Sequence, residues 1–223
     1  EAPVSHDGRE IALPYTGEGA TGLGKPLKSI LHMNPDIPIY IGAGNEATVR
    51  LTAEICDGLL PLGLTPSSAH EYVPWIEEGF ARANKKGEAK SFDNFDVTAS
   101  VHVDINDDVK AALARLKPEV DLYVGGMGHR SKNFHKEMMT RRGFGDAANR
   151  IQELYLAGRK QEATDAVPDE WVDEKSLVGS PDRIKERFKR WAALEMVDSV
   201  YIRTTQDAAV DLMAEAAGLA PAR

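Results

Sequence analysis

The stretch F-D-V-T-A-S-V-H-V-D-I, Phe95 to Ile105, alternates without a slip. Val97, Ala99, Val101, Val103 and Ile105 fall on one face of an extended strand and Thr98, Ser100, His102 and Asp104 on the other, because successive side chains of a strand point to opposite sides. A central strand of an open doubly wound sheet is covered on both faces and reads as apolar throughout. An apolar face toward helices and a mixed polar face toward an interior suits the wall of a barrel.

Working outward, three more strands read as short apolar runs: Ile37 to Ala43, Gly58 to Gly63 and Asp198 to Thr205. Between the first two, N-E-A-T-V-R-L-T-A-E-I-C reads as a helix, with Asn45 as N-cap and Glu46 in the first turn. Strand, helix, strand with short loops is the parallel crossover unit. A second helix is predicted from about Ser67 to Asn84, with Tyr72, Ile76 and Phe80 on one face and a kink or restart at Pro74. V-K-A-A-L-A-R-L-K-P follows the long strand, and a helical block runs from about Ser131 to Lys175. The last clear start is Ser180 as cap with Pro181 at the first position. A (β/α)8 barrel needs eight strands and typically about 250 residues. Four strands are visible in these 223 residues.

The glycine-rich segment T-G-E-G-A-T-G-L-G-K-P, residues 16 to 26, matches both G-x-G-x-x-G and G-x-x-x-x-G-K. Neither match has its context. The P-loop requires a Ser or Thr hydroxyl after the lysine, where Pro26 stands, and both motifs require a buried strand before the glycines and a helix directly after them. A flexible loop is the better reading.

Composition narrows the class. The chain is 42% hydrophobic, enough for one sizeable core, and its formal net charge of -8 argues against a broad nucleic-acid surface. A single cysteine, Cys56, excludes an intrachain disulfide framework and multi-cysteine zinc patterns, and its neighbours suggest a buried helix-end residue. No window is apolar enough for a membrane helix and the N-terminus lacks signal-peptide character, so a soluble, cytoplasmic protein is expected. The chain starts at Glu1 without a methionine.

Ligands of parallel α/β folds bind where strands end. Gly42 to Asn45 offers small residues and a helix N-terminus, which suits a phosphate or simply a tight turn. Leu60 to Pro66 can pass close to a flat ring. The segment L-Y-V-G-G-M-G-H-R-S-K-N-F, residues 122 to 134, is either a mobile lid over a site or a surface connector. His102 is a candidate acid/base residue, with a packed polar residue as the plain alternative. No H-E-x-x-H, Cys-His pairing or G-x-S-x-G occurs, so zinc and activated-serine hydrolysis have no support and no metal is expected.

Taken in order, E-A-P-V-S-H-D-G-R-E-I-A-L-P-Y, G-L-G-K-P-L-K, I-P-I-Y-I-G-A-G-N, L-T-A-E-I-C-D-G-L-L-P, L-Y-V-G-G-M-G and S-L-V-G-S-P-D-R-I resemble the luciferase-like monooxygenase superfamily, and within it the coenzyme F-420-dependent oxidoreductases, whose coenzyme is a 5-deazaflavin. The resemblance runs the length of the chain. It implies a (β/α)8 TIM barrel of the bacterial luciferase-like type, of which this chain supplies roughly the second half as one domain over residues 1–223. Residues 1–36 would be the connecting segment, 37–205 strands five to eight with their helices, and 206–223 a C-terminal helix. It further implies hydride transfer between reduced deazaflavin and a small organic substrate, with FMN as the alternative cofactor and a catalytically incomplete half-barrel, acting as a binding or assembly module, as the alternative role. Ala43, Gly44 and Asn45 would hold the cofactor phosphate, with Leu62 and Gly63 nearby, and Gly125, Gly126 and Met127 would border the substrate. Open strand edges imply a homo-oligomer or pairing with the missing N-terminal half.

Overall fold

The computed structural model describes residues 5–22, 34 and 36–219. The chain, read from its sequence as one domain, separates into two units, Glu1–Ile37 and Pro38–Arg223. In the first, β1 (His6–Asp7) pairs antiparallel with β2 (Ala12–Leu13). Gly19 and Gly22 take left-handed φ of 81° and 65°, as a loop of glycines can. Gly24, Lys25 and Pro26, the end of the double motif, lie outside the described residues.

The second unit is built on β3 (Tyr40–Ala43), β4 (Gly58–Pro61), β5 (Asp96–Ile105), β6 (Ser176–Gly179) and β7 (Ser199–Arg203), and every pairing among them is parallel. The long strand β5 is the spine. Its start pairs with β4, Thr98 to His102 pair with β7, and His102 to Ile105 pair with β6. His102 is therefore in register with Ser176 on one edge and Arg203 on the other.

The alternation that opened the reading is realised in three dimensions. Val97, Ala99, Val101 and Val103 are at most 1% exposed, whereas Ser100 is exposed and His102 half-buried on the opposite face. The apolar face packs under α1 (Glu46–Ile55), α2 (Ala69–Lys85), α8 (Pro181–Ala192) and α9 (Asp207–Ala216). A second cluster joins α3 (Val109–Asp121), α4 (Phe134–Met139), α5 (Gly145–Leu156), α6 (Lys160–Asp165) and α7 (Asp169–Glu174) around Met139, Ile151 and Trp171. Asn45 and Ser180 cap as read, accepting from Thr48 N at 3.0 Å and Arg183 N at 3.3 Å. Cys56 is buried at the C-cap of α1.

Five readings need correction. The sheet of this unit has five strands and not four: β6 is fully buried, so it carries no period-two pattern, and it follows α7 with only Lys175 between them. The block from Ser131 to Lys175 is four helices, broken at Gly143 and Gly158, whose φ are 90° and 77°, and at Pro168. Pro74 does not restart α2, which runs unbroken through it from Ala69 to Lys85 with Tyr72, Ile76 and Phe80 buried on one face. The connector expected from residue 122 begins as a turn of π-helix, Leu122–Gly126, that prolongs α3. The last helix ends at Ala216, ahead of Gly218 at φ 71°, and residues 220–223 lie outside the described residues.

Candidate active site

At the carboxyl ends of β4 and β7, over the polar face of β5, the second unit opens a cleft of about 430 Å³. The loop after β4, Leu62 to Thr65, forms one wall. Helices α3, α4 and α7 supply the others.

That loop is fixed from behind. Leu62 N donates to Ala43 O at 2.8 Å, and the buried Tyr72 hydroxyl donates to Leu62 O at 2.7 Å. Arg142 Nη1 donates to Gly63 O at 2.6 Å, while its Nε and the guanidinium of Arg141 hold the two Glu71 oxygens at 2.9 Å each. Burial pushes the Glu71 carboxyl up, but the two arginines outweigh it and keep it below the ordinary carboxylate range. Gly63 has φ 76°, and a Cβ there would come within 2.8 Å of Met138 Sδ.

Of the titratable side chains that line the cleft, three are held away from their ordinary values. Burial lowers His102, with the Arg203 guanidinium adding to the effect, so its imidazole is neutral at neutral pH. His135, its ring 4.6 Å from that of Tyr123, is lowered by burial and then by Lys175. Lys175 is lowered to about 7, by burial first and Arg142 second, with Glu119 opposing. Its Nζ sits 4.0 Å from the centroid of the Trp171 ring and has no hydrogen-bond or ion-pair partner among the described residues. Trp171 Nε1, in the same wall, is buried and likewise unpartnered.

Of the residues marked in the sequence, His102, Leu62 and Gly63 line this cleft together. Ala43, Gly44 and Asn45 stand beside it, joined through the Ala43 to Leu62 hydrogen bond; Ala43 is buried, and Gly44 fits only as glycine, a Cβ reaching 2.6 Å from Phe134 Cζ. The first turn of α1 leaves the N–H groups of Glu46 and Ala47 without intrahelical acceptors, and the Glu46 carboxylate is drawn away by Arg50. That turn therefore keeps two donors open, and Pro61, Leu62 and Leu64 give the cleft an apolar wall. Gly125 and Gly126 are packed under Tyr155, where a Cβ on either would come within 2.5 Å, and Met127 is 47% exposed; all three lie outside the lining of the cleft. Lys175, His135 and Arg203 were missed in the sequence. Lys175 ends a charged run, D-E-W-V-D-E-K, that reads as solvated helix, and its enclosure comes from Trp171 and Gly63, distant in sequence from one another.

A parallel strand–helix array with a part-apolar cleft over its strand ends is the arrangement in which parallel α/β folds hold their ligands. A family model described as luciferase-like monooxygenase matches residues 1–197, and the chain belongs to that family. It is 41% identical over 215 residues to a Mycobacterium tuberculosis protein provisionally named a coenzyme F-420-dependent oxidoreductase, covering 96% of this chain and 61% of that protein. It is 26% identical to the 5,10-methylenetetrahydromethanopterin reductase of Methanopyrus kandleri over 84% of this chain and 48% of that one. The solved structure of the coenzyme F-420-dependent tetrahydromethanopterin reductase from that organism superposes with a TM-score of 0.61 at 25% identity, over 80% of this chain and 49% of that one. An F-420-dependent secondary alcohol dehydrogenase shares the fold at a TM-score of 0.57 and 15% identity, over 90% of this chain and 49% of the other. The chain thus spans about half to three fifths of the lengths of these relatives. Among the described residues no helix is long and apolar enough to cross a membrane, and no group of three or more His, Cys, Asp or Glu is placed to hold a metal ion.

Proposed function

We propose that this chain forms the later half of an oxidoreductase barrel that moves a hydride between reduced coenzyme F-420 and a small organic substrate. The observation that carries the reading is the cleft itself: it lies at the carboxyl ends of parallel strands, beside a glycine turn with open amides, in a chain 41% identical to a relative named for that coenzyme. When bound, the deazaflavin supplies the hydride chemistry. The residues of this chain do the rest. The amides after Gly44 and Asn45 hold a phosphate, and Leu62 and Gly63, fixed by Tyr72 and Arg142, offer an unyielding edge for a ring. His102 and His135, neutral at working pH, accept or donate a proton at an imidazole nitrogen. Trp171 and Met138 exclude water from the same wall. On this reading the protein works in the cytoplasm, takes a small-molecule substrate and no nucleic acid, and closes β3 and β7, which among the described residues pair on one edge only, against the earlier strands of the barrel or a second copy.

The family model's description, luciferase-like monooxygenase, favours a second reading in which FMN replaces the deazaflavin. Anaerobic turnover separates them. With reduced coenzyme F-420 and a panel of ketones and imines, the first reading expects deazaflavin oxidation without oxygen. Oxygen-dependent oxidation of reduced FMN, with no deazaflavin turnover, overturns it.

A further inference from the structure

Lys175 links α7 to β6, and its amine is enclosed by Trp171, Gly63 and Met138. The charged groups facing it are Arg142 from the turn after α4, Glu119 from α3 and His135 from α4. Arg142 Nε and Nη1 donate to Glu71 and to Gly63 O, which leaves that carbonyl engaged, and its buried Nη2 has no partner among the described residues. Glu119, the single carboxylate in the lining, pairs with Arg203 at 3.3 Å. Glu174, next along the helix, is held by Arg190 at 2.9 Å. The cleft therefore presents an unpaired amine and two histidines to a ligand, its carboxylate and its guanidinium being paired with each other. A half-buried amine against an apolar wall gains from a counter-charge when it protonates, and the missing partner is an oxyanion.

We propose that the cleft receives a small substrate carrying a carboxylate or phosphate group and that Lys175 Nζ is the receptor of that group. The proposal rests on reading this cleft as the substrate cleft. The free amine is largely neutral at about pH 8, and an arriving oxyanion supplies both the opposite charge and the lone pairs that the ammonium form lacks. Docking then draws a proton from bulk solvent onto Nζ, which forms an N–H bond and an ammonium; no other bond changes. His135, held low by burial first and Lys175 second, stays neutral at this pH, so the uptake reports the lysine.

Calorimetric titration with sulfate, which does not titrate itself, at about pH 8 in two buffers of different ionisation enthalpy tests this. The native protein takes up close to one proton per sulfate bound. Lys175→Met binds sulfate about tenfold more weakly, or about 1.4 kcal/mol, and without uptake; Lys175→Arg binds with no uptake because a guanidinium stays charged. Sulfate binding that survives Lys175→Met unchanged, native binding without proton uptake, or no sulfate binding at all overturns the proposal. Titration of the same samples with coenzyme F-420 keeps the two readings apart. Deazaflavin binding without a sulfate site sinks only the anion receptor, and a sulfate site with no deazaflavin binding sinks only the proposed cofactor.

Discussion

Replacing Gly63 by Ala puts the account of the site loop under strain at one atom. Gly63 holds φ 76°, and the left-handed region costs an L-residue with a Cβ roughly 1–2 kcal/mol. The added methyl would also meet Met138 Sδ at 2.8 Å and Cε at 2.9 Å, but these are the far end of a flexible side chain and can turn aside. The loop cannot escape by rotating, because the Gly63 and Leu62 carbonyls are held by Arg142 and Tyr72. The expected loss is therefore about 1–2 kcal/mol, and for a chain of this size about 2–4 °C in Tm for each kcal/mol. Lys175 Nζ lies 3.8 Å from the new Cβ, so the methyl comes into van der Waals contact with the amine. Thermal and urea unfolding of Gly63→Ala, alongside sulfate titration, measure both effects. A variant as stable as the native protein would refute the claim that the loop is locked from behind; one that unfolds as predicted but binds ligand normally would refute its place in the site.

Tyr72→Phe removes the hydroxyl that Leu62 O accepts in a buried setting and should cost about 1–3 kcal/mol in urea unfolding; a loss too small to measure would mean water replaces the bond. Glu71→Gln leaves Arg142 and Arg141 without their shared carboxylate, with side chains of Glu71 and Arg142 only 12% and 11% exposed, and should cost about 3–5 kcal/mol at neutral pH. Since the folded Glu71 titrates below its unfolded value, that contribution is present above the ordinary carboxylate range and fades as pH falls through the lowered value; an unchanged acid limb in Glu71→Gln contradicts the pairing. Lys175 has the opposite dependence. Its folded value of about 7 lies below the ordinary lysine value of 10.5, so the unfolded chain binds more protons between them and stability rises with pH across that window, by at most about 1.4 kcal/mol per pH unit. Lys175→Met should abolish that rise and be more stable than the native protein near pH 6; a parallel pair of stability curves would show that the amine is not desolvated.

Period-two alternation made β5 legible at once, because one face meets helices and the other meets a cleft. The same physics hid β6, whose Ser176, Leu177, Val178 and Gly179 are all buried and so give no alternation to read. Caps at Asn45 and Ser180 were visible because capping is a local hydrogen bond. His102, Leu62 and Gly63 could be marked because each closes or flanks a strand. Lys175 could not, since the Trp171 indole four residues earlier in a charged run looks like helix surface, and the Gly63 turn beside the amine is remote in sequence. Gly125 and Gly126 drew attention as a ligand-facing pair, and their close packing under Tyr155 depends on α5, some thirty residues along the chain.

The central claim is that the cleft over β4, β5 and β7 serves a deazaflavin. Equilibrium titration of the protein with coenzyme F-420 and, separately, with FMN, followed by the fluorescence of each, tests it most directly. The account predicts saturable binding of coenzyme F-420, at least about tenfold tighter than FMN and weakened when Gly44→Ala forces the turn against Phe134. Tighter binding of FMN, or coenzyme binding indifferent to Gly44→Ala, would contradict it.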